Sequence, residues 1–72
     1  MNKPVTPFVT PYTIELQINL DDMIDDRRRV AGEWWCCDQA HGRWFRSVNK
    51  LTGAVRFSFE HEKDAVRFWL AN

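Results

Sequence analysis

Cys37 and His41 stand four residues apart, and Cys36, Asp38 and His61 are the side chains that could join them in metal or thiol chemistry. A zinc ion takes about four ligands in a tetrahedral array, so one cysteine–histidine pair is half a site. As a nucleophile and its base, the pair would need a depressed thiol pKa and a third group to orient the histidine. Cys37 falls on the apolar face of a predicted helix, where thiols are inert. Neighbouring cysteines rarely bridge each other, because the intervening peptide must distort, so both are expected as reduced thiols. Asp21, Asp22, Asp25 and Asp26 could attract a divalent cation, but they lack the alternating ligands and central glycine of a calcium loop. They read as a solvated helix start. The expectation is a chain with no catalytic residue, no metal and no cofactor.

Binding chemistry is better represented. Four tryptophans and five phenylalanines in 72 residues suit a compact core or a contact surface. If Phe45 points inward with Val55, Phe57 and Phe59, then Trp44, Arg46 and Arg56 share the open face of a sheet. Indole beside guanidinium fits a protein hot spot or a nucleobase platform. The alternative turns Trp44 inward and leaves Arg46 at the rim. Trp35 and Trp69, spare apolar groups on two predicted helices, complete the expected partner-binding set. Arg27, Arg28, Arg29 and Arg43 are the candidate phosphate contacts. The four aspartates just before the arginine run would repel the same backbone, and ten basic residues are matched by ten acidic ones. Nucleic-acid binding is therefore the second reading.

The elements that must position these groups follow from periodicity. Residues 12–18 alternate, with Ile14, Leu16 and Ile18 on one side, which predicts a half-buried strand. Asn19 reads as an N-cap with Asp22 three positions on, opening a helix over about 20–38. Acids precede bases along it, matching the helix dipole. Its predicted apolar stripe is Met23, Val30, Ala31, Trp34 and Cys37, widened by Ile24 and Trp35. Gly32 is its weak point, and the alternative ends the helix there and makes 33–37 a strand. Gly42 can supply a left-handed stop. Residues 43–48 and 54–60 read as a hairpin around a five-residue, glycine-containing connection. Residues 62–71 form a second helix, with more apolar side chains than one face can hold. The N-terminal 1–11 carries three prolines and reads as an extended arm, either frayed or docked through Phe8 and Val9. The single domain is expected over 12–72, as a two-layer α+β fold with a three-stranded antiparallel sheet covered on one face by two helices, a ferredoxin-like half.

Length and composition set the remaining bounds. A chain of 72 residues holds one small core and is expected either to be marginal alone or to gain stability by self-association, which zero net charge favours. A hydrophobic content of 44% argues against disorder. No apolar run is long enough to cross a membrane, and the N-terminus has no apolar signal region, so the cytoplasm is expected.

Two local resemblances add to this reading. Gly53, Phe59, Glu60, Asp64 and Ala65 are similar to the third strand and second helix of RNA-recognition-motif domains. The positions that carry stacking aromatics in that family fall on Ala54 and Arg56, so the likeness implies the half-fold and not RNA binding. Phe57, Phe59, Asp64, Ala65, Val66, Phe68 and Leu70 also form a pattern that resembles small orphan proteins of tailed bacteriophages. That likeness implies a viral origin. The reading is then a small non-enzymatic protein that binds, and by occlusion inhibits, a host protein in the host cytoplasm. A self-associating homodimer or virion component is the further alternative.

Overall fold

A computed structural model describes residues 2–19 and 21–71. The chain runs β1 (Tyr12–Gln17), α1 (Met23–Gln39), β2 (Trp44–Asn49), β3 (Ala54–Phe59) and α2 (Glu62–Ala71). The strands form one antiparallel sheet in the order β1-β3-β2, and both helices pack on one face, as the α+β reading expects.

The register builds the core. Tyr12, Ile14 and Leu16 lie level with Phe59, Phe57 and Val55, and across β3 stand Trp44, Arg46 and Val48. All of these face the helices. From α2, Phe68 inserts between the layers, with its ring 4.7 Å from Phe57 and 5.4 Å from Phe59. Trp44, Val55, Phe57, Phe59 and Phe68 are all but fully buried. Each such side chain is worth about 1.5–3 kcal/mol of burial.

The helix α1 runs unbroken through Gly32, so residues 33–37 are helical. A Cβ at Gly32 would stand 2.9 Å from Phe57 Cζ and 3.2 Å from Phe68 Cζ. The missing side chain is what lets the helix backbone lie against two rings. This contact also sets the phase of α1. Gly32 and Cys36 face the core, whereas Met23, Ile24, Ala31 and Trp34 of the predicted stripe are exposed. Trp35 and Cys37 of the stripe do pack against the core; the rest is displaced because the point of contact is a glycine, which carries no apolar signal.

The N-cap is Asp22, not Asn19. Asp22 Oδ1 accepts from the backbone N–H of Ile24 at 2.8 Å and of Asp25 at 3.4 Å. Asn19 instead accepts from Asp21 N–H at 3.1 Å, one turn earlier. Residue 20, where the predicted helix begins, lies outside the described residues. Gly42 is not a left-handed stop. The helix ends on Ala40 in extended conformation, and Gly42 gives its N–H to Asp64 Oδ2 at 2.9 Å.

The hairpin loop is four residues, Lys50 to Gly53, because Asn49 stays in β2. Gly53 takes φ 75° and accepts from Ile18 N–H at 2.8 Å, tying the loop to the end of β1. The arm is extended and docked. Asn2 N–H donates to Cys37 O at 2.8 Å, and Val5 N–H to Trp44 O at 3.0 Å. Thr10 Oγ1 donates to Phe59 O at 2.6 Å. Phe8 lies edge-on to Phe45 at 5.1 Å, on the sheet rather than a helix, and Val9 is fully exposed.

Candidate functional site

Of the groups that could do chemistry, Cys36 and three of the aspartates have structural partners or burial. Cys36 is fully buried, and that burial, with smaller contributions from Cys37 and Asp64, pushes its thiol pKa up, away from the reactive thiolate. Among the described residues no three His, Cys, Asp or Glu side chains gather where they could hold a metal ion. The aspartates at the start of α1 are also engaged. Asp22 caps, Asp25 accepts from Asn19 N–H at 3.1 Å, and Asp26 binds Arg29 Nε at 2.9 Å.

Asp64, which the sequence marks only as a position in the two local patterns at the start of α2, has a role that the sequence does not foresee. Its carboxylate is buried in the first turn of α2. It accepts from His41 N–H at 3.0 and 3.1 Å and from Gly42 N–H at 2.9 Å. It therefore anchors the loop after α1 to the start of α2. The signal available was its position beside a glycine-containing turn far away in sequence, which no local pattern reports.

The predicted trio of Trp44, Arg46 and Arg56 is not brought together. Trp44 is 1% exposed, with its Nε1–H donating to Asn2 O at 2.7 Å. Its pairing with Phe59 turns it toward the helices, and alternation carries Arg46 to that side, where it binds Glu33. Phe45 is the residue on the open face, and Phe8 covers it. Arg56 does lie on the open face, 2.8 Å from Glu15 of the neighbouring strand. Its surroundings there are Thr13, Gln17, Ser47 and Asn49, with no free aromatic ring.

Three of the four phosphate candidates, Arg28, Arg29 and Arg43, face carboxylates. Arg28 stands 3.9 Å from Asp25, and Arg29 lies 2.9 Å from Asp26 and 2.8 Å from Glu33. The Asp26 hydrogen bond, opposed by partial burial and helped by Glu33, pushes the Arg29 pKa up. Arg43 binds Glu60 at 3.0 Å and caps the Phe8 ring at 4.5 Å. Arg27 is exposed on the outside of α1. A hollow of about 830 Å³ opens between the hairpin loop and the start of α1. It is lined by both signs, Asp21, Asp25 and Asp26 against Arg29, Arg46 and Lys50, so it favours no ion of one charge.

Apart from Val9 in the arm and Leu51 in the hairpin loop, the exposed large apolar side chains among the described residues are on the helices. Trp34 is 62% exposed, Trp69 64%, Leu70 79% and Val66 49%. Trp35 is half-buried, edge-on to Phe68 at 5.5 Å, with the Arg67 guanidinium 5.8 Å from its ring. It belongs to the seam between the helices. On α2, Ala65 and Phe68 face the core, so Val66, Trp69 and Leu70 stand on the opposite and lateral sides at the 100° step of a helix. Comparison of the chain with protein-family models, curated proteins and solved structures gives no match.

Proposed function

We propose that this chain is a non-enzymatic protein-binding module whose contact surface is the outside of its helical layer, centred on Trp34, Val66 and Leu70. One observation carries the reading: α2 is apolar on both its inner and outer sides. Val66, Trp69 and Leu70 are exposed outside the face that packs on the sheet, beside the charged Lys63 and Arg67, so α2 shows more apolar surface than its one buried face accounts for. Exposed indole and aliphatic groups are the anchors that protein interfaces use, and Arg67 at the seam supplies a cation at the rim. The module acts by occlusion. We propose a host protein as partner and the host cytoplasm as the place, on the local resemblance of residues 57–70 to small bacteriophage proteins. No helix among the described residues is long and apolar enough to cross a membrane.

Nucleic acid is disfavoured as the partner. Arg29, Arg43, Arg46 and Arg56 each face a carboxylate, and on the open sheet face Phe45 is covered by Phe8, which itself lies under Arg43.

The test is affinity capture from nuclease-treated bacterial lysate, with the wild type and a Trp34→Ser/Leu70→Ser double variant side by side. The expected result is one stoichiometric protein on the wild type that is lost from the variant. A protein retained equally by both, or binding that vanishes with nuclease on the wild type, overturns the reading.

A further inference from the structure

The two edges of the sheet are finished differently. The outer edge of β2 is blunted, since Val5 of the arm bonds to Trp44 O and the charged Arg46 and Lys50 flank the rest. The outer edge of β1 has no neighbouring strand among the described residues. Ile18 N–H donates to Gly53 O, in line with the β1–β3 register. By alternation Tyr12, Ile14 and Leu16 direct their backbone groups to β3, and Thr13, Glu15 and Gln17 direct theirs outward, where Thr13 N–H is held by Pro11 O at 3.2 Å and Glu15 N–H, Gln17 N–H and the carbonyls face the edge.

We propose that β1 pairs with β1 of a second copy of this chain, antiparallel, about a twofold axis through Ile14. The side chains select both the occupant and the register. In this register Thr13 and Glu15 stand opposite each other, Glu15 N–H donates to Thr13 O of the other copy and Gln17 N–H to its Pro11 O, while Thr13 N–H stays with its own Pro11 O. The open face then reads Arg56, Glu15, Thr13, Ser58 across the two sheets, and the same in reverse. Each Glu15 keeps its own Arg56 at 2.8 Å, and Thr13 keeps Ser58 at 3.2 Å. On the helix side Ile14 meets Ile14, and Tyr12 meets Leu16. Sliding the copies by two residues one way would set Glu15 against Glu15, which is destabilising, and the other way would set Thr13 against Thr13, whose N–H groups are already held by Pro11 O.

The helices fit the same axis. Arg67 reaches α1 at Trp35 and Gln39, so Trp69, on the other flank of α2, points toward the β1 edge. Because α2 lies over β1 and β3, its counterpart would sit roughly two strand spacings away, about 10 Å, which is a helix-packing distance. Trp69 of each copy fills that gap. The half-buried Tyr12 and Ile14 become core. This assignment uses the β1 edge and leaves Trp34, Val66 and Leu70 for a partner, so it stands or falls independently of the binding role.

The experiment is sedimentation equilibrium on the full chain, with circular dichroism to follow folding. The wild type is expected at twice its 8.6 kDa chain mass. Glu15→Pro removes an N–H that points outward and leaves the β1–β3 ladder intact, so it is expected to be folded and monomeric. Glu15→Ala keeps the N–H and is expected to stay dimeric. Ile14→Cys in a Cys37→Ser background places two thiols on the axis at a non-hydrogen-bonded pair, where Cα atoms stand about 4.5 Å apart, and is expected to form an intermolecular disulfide. A monomeric wild type, a folded Glu15→Pro dimer, or no cross-link from Ile14→Cys would each overturn the proposal. Should Glu15→Pro not fold, the cross-link decides alone.

Discussion

Replacing Gly32 with alanine sets two effects of opposite sign against each other at one position. Alanine is the better helix former by about 1 kcal/mol, so propensity alone predicts a more stable protein. The new methyl group would stand 2.9 Å from Phe57 Cζ, 3.2 Å from Phe68 Cζ and 3.3 Å from Phe57 Cε2. Neither ring can yield. Both are 0% exposed, and they already lie 4.7 Å apart against each other. Overpacking of this kind costs about 1–3 kcal/mol, and the methyl meets two rings, which places the cost at the upper end. The net expectation is a loss of about 1–2 kcal/mol, or roughly 5–15 °C in melting temperature for a domain of this size. Urea denaturation followed by tryptophan fluorescence measures it. Ala31→Gly, on the exposed side of the same helix, calibrates the propensity effect and should cost about 1 kcal/mol. If Gly32→Ala is as stable as the wild type or more so, α1 does not rest on the two rings, and the packing argument fails.

Other consequences follow from single contacts. Asp64→Asn puts an amide NH2 where a carboxylate oxygen accepts a backbone N–H, and should cost about 2–3 kcal/mol in denaturation. Gly53→Ala forces an L side chain to φ 75° and drives its Cβ into Ile18 O, so it should destabilise by about 1–3 kcal/mol and broaden the hairpin amide resonances. Glu60 is held below the usual carboxylate range by the Arg43 backbone N–H first and by its guanidinium second. Below that range the unfolded chain binds this proton more readily than the folded one. The contribution is therefore present above the ordinary glutamate pKa and lost as pH falls through the lower folded value. In Glu60→Gln the loss of stability on acidification should be smaller than in the wild type, as read by denaturation midpoints across that range.

The elements were legible because their periods are clean. Ile14, Leu16 and Ile18 mark β1, and Val55, Phe57 and Phe59 mark β3, and the order of elements then leaves few topologies. The orientation of α1 was not legible, because a glycine at the point of closest approach looks like a defect rather than a contact. The face of β2 was ambiguous for a related reason. Trp44 and Phe45 are both large and apolar, and what separates them is the partner each finds. Trp44 gains Asn2 O for its N–H inside the core, while Phe45 is covered by Phe8 from a segment with no periodic signal at all. Alternation from Trp44 carries Arg46 inward, and Glu33 of α1 meets it there, a pairing 13 positions distant that composition does not reveal. The candidate surface thus moved from the sheet to the helices, and of the residues first favoured only Trp69 stands free on a surface that invites an apolar contact.

The most direct test of the binding surface is site-specific photo-cross-linking. A photoreactive phenylalanine analogue replaces Trp34 or Leu70 on the helices, and in a second pair Ser47 or Arg56 on the open sheet face. Each variant is irradiated in lysate. Helical-layer binding predicts a discrete heavier adduct from positions 34 and 70, insensitive to nuclease, and none from 47 and 56. Adducts from 47 and 56 with none from 34 and 70 would contradict it and return the interface to the sheet.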